Sequence, residues 1–222
     1  MLDGKPIFAY VSGVVAPSRN AKTGAMAQVW IMRDDIHPLT ASRTGEDASI
    51  CGDCPLRGHL GKNRTCYVNI SQAPVQVYKA SKTAEPAPKH IFNNRAVRLG
   101  AYGDPAALPV EIIERIVKKS ALVTGYSHLW RSCDQRLKQY LIASVCSEEE
   151  RILAKSMGWS TFRIKQKEDP IAPKEDTCPA SEEVGKVMQC ITCGRCTGDQ
   201  KRDIVINVHG IGKNHFKLLQ AA

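Results

Sequence analysis

Four cysteines in the last quarter of the chain have the spacing of a metal or cluster site. They are Cys178, Cys190, Cys193 and Cys196, which we name the C-terminal cysteine group. Thiolates are soft ligands, and the metals that take four of them are zinc and the iron of iron–sulfur clusters. A C-x2-C-x2-C run with a remote Cys-Pro is typical of bacterial-type iron–sulfur ligation. Structural zinc sites more often pair two C-x2-C units, so the spacing favours iron–sulfur and leaves zinc as the alternative.

A second set of thiols precedes it in the sequence. The N-terminal cysteine group consists of Cys51, Cys54 and Cys66, spaced C-x2-C-x11-C. Two thiolates on a tight turn can bind one metal centre, and three leave one coordination position open. His59 could fill that position as in a Cys3His zinc site, or the position could hold the exchangeable ligand that catalysis needs. Unligated thiols in a loop are the third interpretation.

Composition indicates the compartment in which these thiols work. The chain has 222 residues, 43% of them hydrophobic, and an odd count of nine cysteines. We expect no signal peptide at the start, and no apolar run approaches the roughly 20 residues that span a bilayer. The sequence therefore predicts a cytoplasmic protein without a membrane partner, whose clustered cysteines bind metal rather than form disulfides.

Charge suggests a polyanionic partner. The net charge is +9, and residues 1–100 carry thirteen Lys and Arg against seven Asp and Glu. A basic half of this kind indicates a nucleic acid or a nucleotide as partner. A solvated basic surface is the alternative, because no dense basic run occurs.

The elements that must position these thiols fall into two predicted regions. Residues 1–85 read as sheet and loop: Ile7–Val15 and Ala27–Met32 predict a β-hairpin, and a cysteine-rich loop region and a helix over Pro74–Ser81 follow. In residues 86–222, strands and helices alternate with short connections. The predicted strands are Ala96–Ala101, Leu122–Tyr126, Tyr140–Val145, Ser160–Ile164 and Asp203–Val208. This alternation predicts an α/β fold with a mostly parallel sheet, in the form of a partial, open β/α barrel.

Capping signals mark two of the connecting helices. Ser132 with Gln135 and Ser147 with Glu150 have the spacing of capping boxes, and Gly158 is placed as a C-terminal cap.

Polar residues follow the predicted strands at their carboxyl ends, where parallel sheets carry their chemistry. Asp104, after Gly103, could accept from a ribose hydroxyl or an amine, or it could cap a helix. His128 and His209 are candidate acids or bases, with a structural role as the alternative. Cys146 is a candidate ligand or nucleophile, or else a small packing residue.

The order of these motifs resembles a known family. The chain is similar to bacteriophage-encoded, radical S-adenosylmethionine-like proteins of uncertain function. Shared features are an early cysteine set ending in Cys66-Tyr67, a strand ending in Gly103-Asp104, Tyr126-Ser-His-Leu-Trp130, the late cysteine run, and a strand ending in His209-Gly210. The early spacing departs from the C-x3-C-x2-C signature of radical-SAM enzymes.

This resemblance implies roles for both cysteine groups. The N-terminal cysteine group would hold a [4Fe–4S] cluster that binds S-adenosylmethionine, and Gly103 and Asp104 would contact the amine or ribose of that cofactor. The C-terminal cysteine group would hold an auxiliary cluster or zinc. The implied activity is modification of a nucleic acid, a nucleotide or a peptide. The alternative is a zinc-stabilised basic protein that binds nucleic acid or a host factor without catalysis.

Overall fold

The computed structural model describes residues 2–58, 63–199 and 202–216. The strands in these ranges are β1 (Ile7–Ser12), β2 (Ala27–Arg33), β3 (Ala96–Tyr102), β4 (Leu122–Thr124), β5 (Tyr126–Ser127), β6 (Ile142–Val145), β7 (Thr161–Lys165), β8 (Glu175–Thr177) and β9 (Asp203–Asn207). The α-helices are α1 (Pro38–Thr44), α2 (Ala48–Cys51), α3 (Ala73–Ser81), α4 (Val110–Lys119), α5 (Glu148–Ser156) and α6 (Cys190–Cys193). Short 3-10 helices lie at 105–107, 135–139, 182–184 and 213–215.

The strands form two sheets, and the mixed α/β class predicted from the sequence is confirmed. The first sheet has the order β1-β2-β3-β4 and the second has the order β5-β6-β7-β9-β8. The predicted hairpin is present, because β1 and β2 pair antiparallel from Ile7 opposite Arg33 to Ser12 opposite Gln28. The other strand pairs are parallel.

A single residue, Gly125, carries the chain from the first sheet to the second. Its amide donates to the carbonyl of Cys196 at 2.9 Å, and its carbonyl accepts from Ile142 N at 3.2 Å. A Cβ atom at this position would lie 2.7 Å from Leu141 Cδ2 and 3.1 Å from Leu99 Cβ. Any larger residue therefore requires Leu141 to shift where the two sheets meet.

The largest apolar core of the described residues reaches both sheets, and a separate apolar cluster packs on β7 and β9. The largest core includes Val29 of β2, Leu99 of β3, Ile113 of α4, and the fully buried Trp130 and Trp159. β2 and β3 pair across the predicted boundary between residues 85 and 86, and that boundary stays a prediction.

The predicted caps are partly confirmed. The Ser147 hydroxyl accepts from Glu150 N at 3.2 Å at the start of α5, and Gly158 follows the helix with φ +83°. The capping box at Ser132 is wrong: the 3-10 helix there begins later, at Gln135, and Asp134 caps it by accepting from Arg136 N at 2.9 Å. In the described part of the chain, no helix has the length and apolar character needed to cross a membrane.

Candidate metal centre and ligand cavity

A cavity of about 140 Å³ lies at the carboxyl ends of the parallel strands. Its wall includes Gly103 and Asp104 after β3, His128 after β5, and His209 after β9. One ordered water needs only about 10–15 Å³, so the space suits a larger ligand. The structure therefore brings together four of the five strand-end residues singled out from the sequence, and Cys146 is the exception.

Both cysteine groups contribute to the wall of this cavity. The thiol-bearing residues that line it are Cys51, Cys54, Cys66, Cys178, Cys190 and Cys196. Cys193 instead faces a smaller adjoining recess, together with the other three members of its group. Two sets of thiols that are more than a hundred residues apart in sequence thus face one space.

The N-terminal cysteine group is assembled by α2 and a returning loop. Cys51 is the last residue of α2, and the carbonyl of Leu56 accepts from Thr65 N at 3.1 Å and Cys66 N at 2.9 Å. Burial raises the pKa of the Cys51 and Cys54 thiols, and the charge of the neighbouring Cys66 raises both pKa values further. Metal binding at this group must displace these protons. His59, the candidate fourth ligand, lies outside the described residues.

A buried ion pair anchors the loop between Cys54 and Cys66. Asp47 is fully buried, and its Oδ1 accepts from Arg57 Nε at 3.0 Å and Nη2 at 2.7 Å. Arg64 Nη1 lies 3.8 Å from the other oxygen. Because Asp47 precedes α2, this contact holds both ends of the group together.

The C-terminal cysteine group rests on the second sheet and on the β1–β2 loop. Cys178 N donates to Val205 O at 2.8 Å and extends the β8–β9 ladder. Cys190 N donates to Lys22 O at 2.9 Å, so the hairpin loop fixes the start of α6. Burial raises the pKa of the thiols of Cys178, Cys190 and Cys196, and the other thiols of the group raise these pKa values further.

The thiols are not arranged around a single ion. Within residues 2–58, 63–199 and 202–216, no set of three or more His, Cys, Asp or Glu side chains has the geometry of an ion site. The seven thiols still influence one another electrostatically within each group, so each group is a local cluster of soft donors.

Asp104 has the capping role that was one of its two predicted interpretations. Its Oδ1 accepts from Ala106 N at 2.9 Å, and its Oδ2 accepts from His128 N at 2.7 Å. Burial raises the pKa of this carboxyl to about 6. Gly103 adopts φ +77°, and a Cβ there would lie 2.6 Å from Ile31 O, so the glycine is required for close contact with β2.

The two candidate histidines differ in environment. Burial lowers the pKa of His128 to about 4, so its ring is neutral near pH 7. His209 Nδ1 lies 3.0 Å from Asn207 O and its Nε2 lies 3.4 Å from Lys22 Nζ. The network fits an imidazole that donates through Nδ1 and accepts through Nε2. Cys146 lies outside the cavity and packs with Leu56 and Phe216.

Arg98, Tyr67 and Tyr126 form a cluster in the cavity wall that was not predicted from the sequence. Arg98 Nη2 donates to the hydroxyl of Tyr67 and, at 3.0 Å, to that of Tyr126. The Tyr126 ring stacks on Phe162 with centroids 5.1 Å apart. The available signal was an arginine between the buried Val97 and Leu99 in a strand of a parallel sheet.

Comparisons with protein families, with curated proteins and with solved structures give no match to this chain.

Proposed function

We propose that the protein is an iron–sulfur enzyme of the radical S-adenosylmethionine type, with its strands forming a partial barrel around the cavity. The observation that carries the proposal is that both cysteine groups face one cavity at the carboxyl ends of parallel strands. In parallel α/β proteins this end of the sheet binds ligands and carries the chemistry. The resemblance to bacteriophage-encoded proteins, and with it a place in the host cytoplasm, belongs to the same proposal.

The donor set favours clusters over single ions. The C-x2-C-x2-C run with its remote Cys-Pro is typical of iron–sulfur ligation, whereas structural zinc sites more often pair two C-x2-C units. Three thiols in the N-terminal cysteine group leave one position open toward the cavity. Four thiols in the C-terminal cysteine group can close a second centre.

The residues around the open position suit a small polar cofactor. When bound, a cluster there would supply the electron for reductive cleavage of S-adenosylmethionine. Asp104 and Gly103 lie in the same wall, where they would contact the amine or ribose of that cofactor. Leu56 and Phe216 line the same cavity and pack against Cys54 and Cys66, which gives the thiols an apolar surround.

A zinc-stabilised protein that binds nucleic acid is the second candidate. The described lining of the cavity contains the basic side chains of Lys22, Arg57, Arg64 and Arg98 against one carboxylate, Asp104. The binding constant of such a protein for duplex DNA would fall as salt rises. In a plot of log binding constant against log salt concentration, each phosphate contacted would add about 0.9 to the steepness of the fall.

One set of measurements separates the two candidates. Protein purified without oxygen should contain iron and acid-labile sulfide, absorb in the iron–sulfur charge-transfer region, and bind S-adenosylmethionine in equilibrium dialysis. Stoichiometric zinc without iron would contradict the enzyme and favour the binding protein. Iron without S-adenosylmethionine binding would leave a cluster protein of another type and would also contradict the proposal.

A further inference from the structure

Arg98 presents a positive charge to the cavity without a carboxylate partner. It lies half-buried on β3, and in the described residues no Asp or Glu side chain forms an ion pair with it. Among the described residues, the hydrogen bonds of its side chain come from one nitrogen, Nη2, and reach the hydroxyls of Tyr67 and Tyr126. A guanidinium has five N–H donors, so most of its capacity remains for a ligand. A desolvated charge of this kind is costly unless an anion approaches it.

The Tyr126 hydroxyl does not supply that anion. Burial raises the pKa of the Tyr126 hydroxyl well above its ordinary value, so this group is neutral near pH 7. The two hydroxyl oxygens are 3.2 Å apart, and one donates to the other. Of their two protons, one is used in this contact and the other can point to a ligand. Arg98 and one tyrosine hydroxyl therefore offer hydrogen-bond donors in the wall of the cavity.

A second cation lies on the same wall. Lys22 is half-buried, lines the cavity, and contacts the His209 imidazole at 3.4 Å. The Tyr67 ring lies 5.4 Å from the His209 ring at a tilt of 39°, so His209 lies between Lys22 and the Arg98 cluster. Two cations that share a wall suit an anionic group with several oxygens.

We infer that Arg98, Tyr67 and Tyr126 form an oxyanion site, which binds the phosphate or carboxylate group of the ligand that occupies this cavity. The inference rests on the proposed function only in taking this cavity as the place where substrate binds. Lys22 adds charge at the same site, which favours a doubly charged phosphate over a carboxylate. The expected substrate therefore carries a phosphate group, as a nucleotide does.

The competing explanation is that Arg98 balances the thiolates of the C-terminal cysteine group. Its charge lowers the pKa of the Cys190 and Cys196 thiols, although burial, which raises these pKa values, is the larger effect. If balancing the thiolates were its whole role, removing Arg98 would reduce metal content and leave anion binding unchanged. The two explanations thus predict different losses in Arg98→Gln. An oxyanion site predicts loss of anion binding, and charge balance predicts loss of metal.

The test is titration calorimetry of the full chain with inorganic phosphate and, separately, with acetate. The variants are Arg98→Gln, Arg98→Lys and Tyr126→Phe, with iron content and thermal melting recorded for each. Arg115→Gln is the matched control, because Arg115 is exposed on α4 and undergoes the same charge change. We expect Arg98→Gln to weaken phosphate binding by about 10- to 100-fold, with a smaller loss in Arg98→Lys and Tyr126→Phe and no change in the control.

The other possible outcomes either support the oxyanion site or overturn it. Tighter binding of acetate than of phosphate would support the oxyanion site and assign it to a carboxylate ligand. Phosphate binding that depends on Arg98 in a protein without iron would support the site while contradicting the iron–sulfur enzyme. Failure of the wild type to bind either anion, or a folded Arg98→Gln that binds phosphate normally, would overturn the inference.

Discussion

The main-chain amide of His128 donates to the buried carboxylate of Asp104, with 2.7 Å between N and Oδ2. Asp104 follows β3 in the first sheet and His128 follows β5 in the second, so this bond joins the carboxyl ends of the two sheets. The other carboxylate oxygen caps the 3-10 helix through Ala106 N. One buried side chain thus fixes two walls of the cavity relative to each other.

The burial of the Asp104 carboxyl predicts an unusual pH dependence of stability. Burial raises the pKa of Asp104 from 3.8 to about 6, so the folded state retains this proton at a pH where the unfolded chain loses it. Its contribution to stability is full below the unfolded pKa and is lost as pH rises through about 6. We expect the difference in unfolding free energy between wild type and Asp104→Asn to fall by about 1–3 kcal/mol between about pH 4 and about pH 7. Urea denaturation across this range measures it.

Asp134 is the matched control, because it caps the 3-10 helix at 135–139 in the same way. A hydrogen bond from Arg136 lowers the pKa of this exposed carboxyl. Its contribution is present above the unfolded pKa and is lost as pH falls through the folded one, so Asp134→Asn should show the opposite slope. If the unfolding free energy relative to wild type changed with pH in the same way in both variants, the role of burial at Asp104 would be contradicted.

The two cysteine groups should lose metal separately. If each group holds its own cluster, Cys54→Ala and Cys193→Ala should each remove about half of the iron bound by the wild type. Cys193 does not line the main cavity, so its variant should retain S-adenosylmethionine binding, whereas Cys54→Ala should lose it. Iron analysis and equilibrium dialysis on anaerobic protein measure both effects.

Cys133→Ala provides the control for these substitutions. Cys133 is half-buried beside the main core and belongs to neither cysteine group. Its variant should keep the iron content of the wild type. Complete loss of iron in both Cys54→Ala and Cys193→Ala would argue that the two groups share one centre.

A buried ion pair sets the position of β8, the strand that leads into Cys178. Arg163 on β7 contacts Glu175 at 2.8 Å from Nε and 2.5 Å from Nη2, with side chains 4% and 0% exposed. Glu175→Gln leaves the guanidinium buried without its partner charge, and we expect a loss of about 3–5 kcal/mol in urea denaturation. Glu111→Gln removes an exposed pair with Arg136 and should cost much less, because solvent screens that pair. Similar losses of unfolding free energy in Glu175→Gln and Glu111→Gln would contradict the role of burial.

Strand positions followed from sequence because apolar runs of fixed period are local signals. The hairpin, β3 and β9 were predicted within two or three residues of their observed ends. The helices α1 and α2 were missed, since both are short and neither has a side-chain cap: α1 begins after His37, with Pro38 in its first turn. Local propensity carries little information at that length.

The spacing of the cysteines predicted which residues form the site, but it did not predict how they come together. Cysteine spacing identified both groups, yet their approach to one cavity depends on β8 pairing outside β9 and on the loop bond from Cys190 to Lys22. These are long-range contacts without a local pattern. Arg98 was missed for a related reason, because alternation along β3 indicates two faces and cannot tell a ligand cavity from solvent.

The junction of the two sheets gives a test of the fold that is independent of metal. In Gly125→Ala the new methyl carbon would lie 2.7 Å from Leu141 Cδ2, and overpacking of this kind costs about 1–3 kcal/mol. Leu141→Ala removes the clashing atoms, so in that background the cost of Gly125→Ala should shrink, which a double-mutant cycle measures directly. Gly185→Ala is the control: its Cβ meets no atom within 4 Å, and only its φ of +74° should cost about 1 kcal/mol in either background. Additive losses from Gly125→Ala and Leu141→Ala would show that the two residues do not pack at a shared junction.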